Sequence, residues 1–251
     1  MHTKHQRSAD TTGKPPVRKV FTDRSGGVSA APYGSFNLGD HVGDDPQAVE
    51  TNRQRLADVL GLPAERLVFM EQIHSPSVTE VTEATLGKGP VEATDALITT
   101  LKDVALVVLT ADCVPVLLSD EEAGVIAAVH AGRMGARNGI VPRTIRRMEE
   151  LGAVPAQIHA LMGAAASGAH YEVPADMAAD VESKLPGSAT KTSKGTTGLD
   201  IRAGLTRQLL GLGVRNIDAD PRCTIESENF FSYRREGTTG RQAGVIWMPN
   251  S

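Results

Sequence analysis

Apolar residues fall along this chain in short runs broken by Gly, Pro and Asp, and the runs are densest near the middle. The stretch LVVLTADCVPVLLSDEEAGVIAAVHAGRMG, residues 106–135, holds two of them: Leu106–Thr110 stops just before Cys113, and Val125–Val129 leads straight into His130. Val-rich runs without polar interruption predict strands buried on both faces. Strands are therefore expected at Val104–Thr110, Val116–Leu118 and Val125–Val129, with a hairpin-like turn at Asp120–Gly124. Shorter apolar stretches predict others at Leu67–Met70, Ala96–Thr99, His159–Met162 and Gly244–Met248. Helical spacing marks Pro46–Leu60, opened by Asp45 and Pro46, with Val49, Leu56, Val59 and Leu60 on one face and Glu50, Arg53 and Arg55 facing water. Further helices are predicted from about Val141 to Leu151, from Pro174, and from Asp200, where Ile201, Leu205, Leu209 and Leu212 make a core stripe.

Between these elements the pattern lapses. Residues 1–18, MHTKHQRSADTTGKPPVR, have nothing to bury and are expected to form a disordered tail, leaving 19–251 as one domain. The polar segment 186–198 has the composition of a mobile loop. A long loop rich in Gly, Ser and Asn precedes the first helix, and loops of that kind carry function.

Composition narrows the class. The chain has 251 residues, 40% hydrophobic and 4% aromatic, with 25 Gly and 14 Pro, which suits many short elements of an α/β or α+β domain. Its net charge of -4 offers no general basic surface, so a small-molecule substrate is expected and nucleic acid is not. Two cysteines exclude a disulfide framework, no leader pattern stands at the N-terminus, and no apolar run nears the ~20 residues of a membrane span. A cytoplasmic protein without a membrane partner, a monomer or weak dimer, is the expectation.

His74, Cys113 and His130 each stand at the end of an apolar run. Three strand ends on one side of a sheet converge, and two imidazoles with one thiolate suit Zn²⁺ with a fourth position left open. Without metal, the same residues would make Cys113 a thiolate nucleophile with His74 or His130 as base. Spacing alone leaves both readings open. Asp95 either points into this cleft or simply starts its strand. Arg24, Ser35, Asn37 and His41 lie before a helix start and are candidates for holding an anion, although Asn37 and Asp40 equally suit turn capping. Arg133, beside the HAG turn, is a second anion candidate. Tyr171, with His170 and Glu172, stands at the approach to the helix from Pro174 and is a candidate substrate contact. Arg234, Arg235 and Arg241 either recognise phosphate or carboxylate or pair with the protein's own acids. Cys223, with no His beside it, reads as a small buried filler.

The strings RSGGVS, SFNLGDHVGDDPQAVETNRQRL, QIHSPSV, TDALIT, LTADCVPVLLSD, AAVHAG, YEVP and FFSYRREGTTGRQAGVIWM occur in consistent order from about residue 20 to 248. Together they resemble the peptidoglycan editing factor family, whose members are also described as polyphenol oxidoreductases, laccase-like proteins and purine nucleoside phosphorylases. The resemblance implies an α+β single domain of stacked mixed β-sheets flanked by helices, and a zinc held by His74, Cys113 and His130. It also implies phosphorolysis of adenosine, inosine, guanosine or methylthioadenosine, zinc-assisted adenosine deamination, or editing of cell-wall precursors at an amide. Arg24, Ser35 and Asn37 match family loop positions near substrate or phosphate. The chain departs from the family where HAG continues as Arg133-Met134-Gly135 instead of Trp-Arg-Gly, and around GAAASGAHYEV. A copper oxidase is the alternative that the laccase-like description raises, with Cu²⁺ in place of Zn²⁺. A multicopper cluster, however, needs roughly ten His and Cys ligands, and this chain has seven His, two of them, His2 and His5, in the tail. A silent zinc-binding domain is the third class.

Overall fold

The computed structural model describes residues 16–250. In chain order they form β1 (Arg18–Phe21), α1 (Pro46–Leu60), β2 (Leu67–Val68), β3 (Val78–Glu80), β4 (Ala96–Thr99), β5 (Ala105–Thr110), β6 (Val114–Asp120), β7 (Val125–Ala131), α2 (Arg133–Arg137), α3 (Ile140–Glu150), β8 (His159–Met162), α4 (Ala175–Lys184), β9 (Ala189–Lys191), β10 (Thr197–Leu199), α5 (Ile201–Gly211), β11 (Asn216–Ala219), α6 (Tyr233–Glu236) and β12 (Gln242–Trp247).

The uninterrupted apolar runs have a simple cause: both faces of the central strands are covered. Two mixed sheets, one ordered β1-β12-β5-β2 and the other β11-β8-β6-β7-β4-β3, stack on each other. Leu106 and Val108 of β5 and Ile246 of β12 meet Leu97, Leu117, Ile126 and Ala128 between the sheets. The alternate residues Ala105, Val107, Leu109 and Val245 point the other way and pack with Leu56 and Ala57 of α1. On the far side of the six-stranded sheet, Ile98, Val116, Leu118 and Val129 pack with Ile145 and Met148 of α3, Val181 of α4 and Leu205 of α5. The result is a helix–sheet–sheet–helix stack, α+β with mixed pairing, as expected.

Several boundaries differ from the sequence pattern. The tail expected over 1–18 lies outside the described residues up to residue 15, while Arg18 opens β1 and pairs with Trp247. The expected strand Leu67–Met70 keeps regular pairing only at Leu67–Val68, with Met70 in an isolated bridge to Val91. The segment 186–198 is no loose loop: β9 and β10 pair antiparallel within it, and Glu182 accepts the backbone N–H groups of Gly187 and Ala189. A short helix, α2, intervenes before α3.

On α1 the polar and apolar assignments also shift. Val59 is 78% exposed. Arg53 lies with its guanidinium 4.0 Å from the centre of the Phe69 ring and donates through Nε to Leu38 O, so this charge is part of the packing. Its neighbour Asn52 is fully buried. The Asn52 amide donates to Ser29 Oγ, Ser35 O and Asn37 O and accepts Val28 N–H, tying the long loop before α1 to the helix. Replacing it leaves several buried polar groups unpaired. Asn52→Ala is expected to lower unfolding stability by about 2–4 kcal/mol, read by urea denaturation; a change within about 0.5 kcal/mol would contradict this role.

Candidate metal centre

Three chain segments deliver the expected triad. Cys113 closes the Ala111–Cys113 turn between β5 and β6, one residue before β6 begins. The turn is held by Asp112, whose backbone sits at φ 95° and whose carboxylate accepts Thr224 Oγ1 at 2.6 Å and Arg234 N–H at 2.7 Å. His130 lies inside β7, not after its end. His74 follows the last bridged residue of its segment by four positions and has φ 60°, a left-handed conformation uncommon for a residue with a side chain. Gln72 pins that segment by acting as a strand would: its Nε2 donates to Leu109 O at 2.7 Å and its Oε1 accepts Leu109 N–H at 2.8 Å.

Cys113 Sγ lies 3.9 Å from His74 Nε2, and one donor atom from each of the three residues lies within 4.8 Å of the others. Two ligands at tetrahedral angles on one zinc stand about 3.6 Å apart for an S–N pair. A displacement of tenths of an ångström therefore brings the sulfur and nitrogen to ligating distance. The imidazole rings of His74 and His130 meet edge-on, with centroids 4.8 Å apart and planes at 76°.

Asp95 organises this arrangement and settles its own two readings in favour of the cleft. It is fully buried, yet its carboxylate accepts five bonds: the N–H groups of Ile73, His74 and Ser75, the Ser75 hydroxyl, and His130 Nδ1 at 2.7 Å. Its carbonyl also accepts His130 N–H at 2.7 Å. Burial alone would raise the Asp95 pKa, but the bonds from His130 and Ser75 hold it below the ordinary carboxylate value. An ionised Asp95 accepting from Nδ1 leaves His130 Nε2 as the nitrogen available to a metal, the carboxylate–histidine–metal relation of metalloenzymes. The same carboxylate stabilises His74 in its left-handed conformation by gathering three successive N–H groups around itself.

The electrostatics favour a thiolate. Burial pushes the Cys113 thiol up, but the neighbouring charge of His130 and hydrogen bonds to His130 and His74 outweigh it and bring the pKa down to about 6. Burial would lower His130; the Cys113 charge and the bond to Asp95 raise it to about 9 instead. A soft anion, two imidazoles and an outer carboxylate thus face one point. Gly132 keeps that point open. Its φ of -69° is one any residue adopts, so space is the reason for glycine: an added Cβ would lie 2.9 Å from His74 Cδ2 and 3.0 Å from Cys113 Sγ. The donor set and this cradle fit a single borderline-soft divalent ion.

The other candidates are distributed differently. Asn37 is fully buried, and its amide is spent on Gly39, Asp44 and the N–H of Arg241, so in this structure it holds loops together. Ser35 Oγ accepts Gly27 N–H and donates to Arg24 O. Arg24 pairs with Glu236 at 2.8 Å, donates to Gly34 O and stacks on Phe231. With Ser35, Glu228 and Asn229 it lines an open surface depression of about 520 Å³ that none of the triad lines. Arg133 contacts Met134 Sδ at 3.3 Å. Tyr171 packs against the core and carries the Arg234 guanidinium 5.0 Å from its ring centre. His41 pairs with Asp40, and Cys223 is a buried filler that accepts Ser167 N–H. Gly132 and the anchoring role of Asp112 are the functional features the pattern of runs does not signal.

Two substitutions probe the centre. Asp95→Asn keeps shape but removes the charge and the acceptor for His130; metal affinity, measured by chelator competition, is expected to fall about 10–100-fold, and an unchanged affinity would contradict the role. Gly132→Ala is expected to reduce bound metal while leaving the circular dichroism spectrum intact. Full metal content in that variant would show that the cradle does not set access.

Comparison with known proteins places the chain in a family. Residues 18–249 match the family described as multi-copper polyphenol oxidoreductase laccase. The chain is 73% identical to a purine nucleoside phosphorylase of Corynebacterium glutamicum over 93% of its own length and 95% of the relative's, and 53% identical to one from Mycobacterium tuberculosis over 92% of each. The crystal structure of the hypothetical protein YfiH of Bacillus licheniformis superposes with a TM-score of 0.87 at 30% identity, covering 92% of both chains. The chain therefore belongs to the multi-copper polyphenol oxidoreductase laccase family, within which its close relatives carry the name purine nucleoside phosphorylase.

Proposed function

We propose that this protein is a zinc-dependent purine nucleoside phosphorylase that also deaminates adenosine. The observation that carries the reading is the convergence of His74, Cys113 and His130 on one point inside the span shared with relatives of that name. These three residues would hold Zn²⁺, which when bound supplies a Lewis acid in a site that keeps one side open. Zinc is preferred to copper because one thiolate and two imidazoles make a single-ion centre, and the His and Cys residues of the chain are too few for a multicopper cluster.

The protein's own groups prepare the site. Asp95 fixes the His130 tautomer and presents Nε2; the Asp112 carboxylate fixes the turn that presents the Cys113 sulfur; Gly132 leaves room beside both. Phosphorolysis converts adenosine and phosphate into adenine and ribose 1-phosphate, breaking the bond between the base and C1′. Deamination converts adenosine and water into inosine and ammonia. The site requirements overlap, since both reactions need a positioned oxygen nucleophile and a stabilised leaving group.

Chromatography after incubation with adenosine and phosphate distinguishes the products: adenine reports phosphorolysis and inosine reports deamination. The wild-type protein is expected to bind about one Zn²⁺ per chain, and Cys113→Ala is expected to lose both the metal and turnover. Metal retained at full occupancy in that variant, or a wild-type protein that turns over no purine nucleoside, would contradict the assignment.

A further inference from the structure

We propose that Arg241 is the phosphate-binding residue of this site, in place of the loop and helix arginines Arg24 and Arg133; the inference rests on the phosphorolysis reading above. Its position follows from strand register. β12 pairs antiparallel with β5, Gln242 opposite Thr110, so Arg241 stands beside Ala111, the first residue of the turn that ends in Cys113. The backbone is fixed there by its N–H bond to Asn37 Oδ1 at 2.8 Å. The side-chain stem lies against Gly39, where a Cβ would come within 2.8 Å of Arg241 Cγ. One arm of the guanidinium, Nη1, donates to Thr239 O and Gly240 O at 3.0 and 2.9 Å.

Among the described residues Arg241 has no ion pair with a carboxylate; what sets it apart from Arg133 and Arg234, which have none either, is its register beside Ala111 and the Cys113 turn. Arg24 is paired with Glu236, and Arg235 is consumed by Glu236 and four backbone carbonyls. Arg133 contacts Met134 Sδ, and the nearby Asp180 of α4 is held by Arg137 through two bonds of 2.6 Å. Arg241 instead feels the charges of Cys113 and Asp112, which raise its pKa against a larger lowering by burial. The Asp112 carboxylate itself accepts the Thr224 hydroxyl and the backbone N–H of Arg234. A half-buried cation balanced only by charges it does not touch retains a desolvation cost that a directly bound anion would offset. A guanidinium anchored on one arm presents its remaining donors in the fork that matches two phosphate oxygens. The buried amide of Asn37, which holds the Arg241 backbone, acquires its purpose here.

Calorimetric titration of the zinc-loaded protein with inorganic phosphate tests this. Arg241→Met keeps the stem and is expected to weaken phosphate binding by about tenfold or more, while Arg133→Met stays within about threefold of wild type. Unchanged binding in Arg241→Met, equal weakening in both variants, or no binding by the wild type at roughly 10 mM phosphate would overturn the proposal. Should Arg241→Met lose its metal or its fold, Arg241→Lys decides: weakened binding with metal retained supports the proposal, and unchanged binding overturns it. Phosphate bound through Arg241 without release of base from any nucleoside would refute phosphorolysis and leave this site standing. Phosphorolysis persisting in Arg241→Met with the wild-type KM for phosphate would do the reverse.

Discussion

The structure depends on a carboxylate removed from water. Asp95 carries charge in the interior, and the protein offsets the cost by surrounding it with five donors drawn from two distant segments. Those donors are not interchangeable decoration. Three successive N–H groups fold the residues around His74 into a left-handed bend, and the Nδ1–H of His130 fixes one ring nitrogen and frees the other. One buried charge therefore sets the orientation of two of the three candidate ligands. The third, Cys113, is set by a second carboxylate, Asp112, which anchors the neighbouring turn to Thr224 and Arg234.

The scaffold explains why such a site is possible. Strands β5 and β7 belong to different sheets of the stack, and Cys113 and His130 approach each other because the β5–β6 connection passes from one sheet to the other. Packing on both faces of each sheet makes these strand ends rigid, since every methylene between the layers has neighbours. Rigid strand ends with short, hydrogen-bonded turns place the three donors within 4.8 Å of one another, the Cys113–His74 pair within tenths of an ångström of a ligating separation. A thiol whose pKa is held near 6 by its histidines is readily deprotonated, while His130, raised to about 9 by the same pairing, gives up its Nε2 proton when a metal binds.

Much of this was legible in the chain. The apolar runs disclosed the central strands because doubly covered strands need no polar alternation, and the residues closing those runs disclosed the triad. The apolar stripe of α5 was equally plain, with Leu205 and Leu209 fully buried. The rest required knowledge of distant partners. Asp95 looks like a strand opener until Ser75 and His130 are seen around it. The 186–198 segment is polar because β9 and the turn after it face water while β10 turns inward, not because it lacks structure. Asn37 and Arg53 look like loop and surface residues, yet one is fully buried and the other packs on Phe69. Each miss has the same origin: a polar residue whose partners lie far away in sequence gives no periodic signal.

The family's description speaks of several coppers, whereas the geometry of this chain speaks for one ion on two imidazoles and a thiolate. X-ray absorption at the zinc edge of the purified protein tests that claim most directly. A first shell with one sulfur at about 2.3 Å and two imidazole nitrogens at about 2.0 Å is the expected result. A shell without sulfur, or one with several sulfurs, would contradict a centre built from His74, Cys113 and His130.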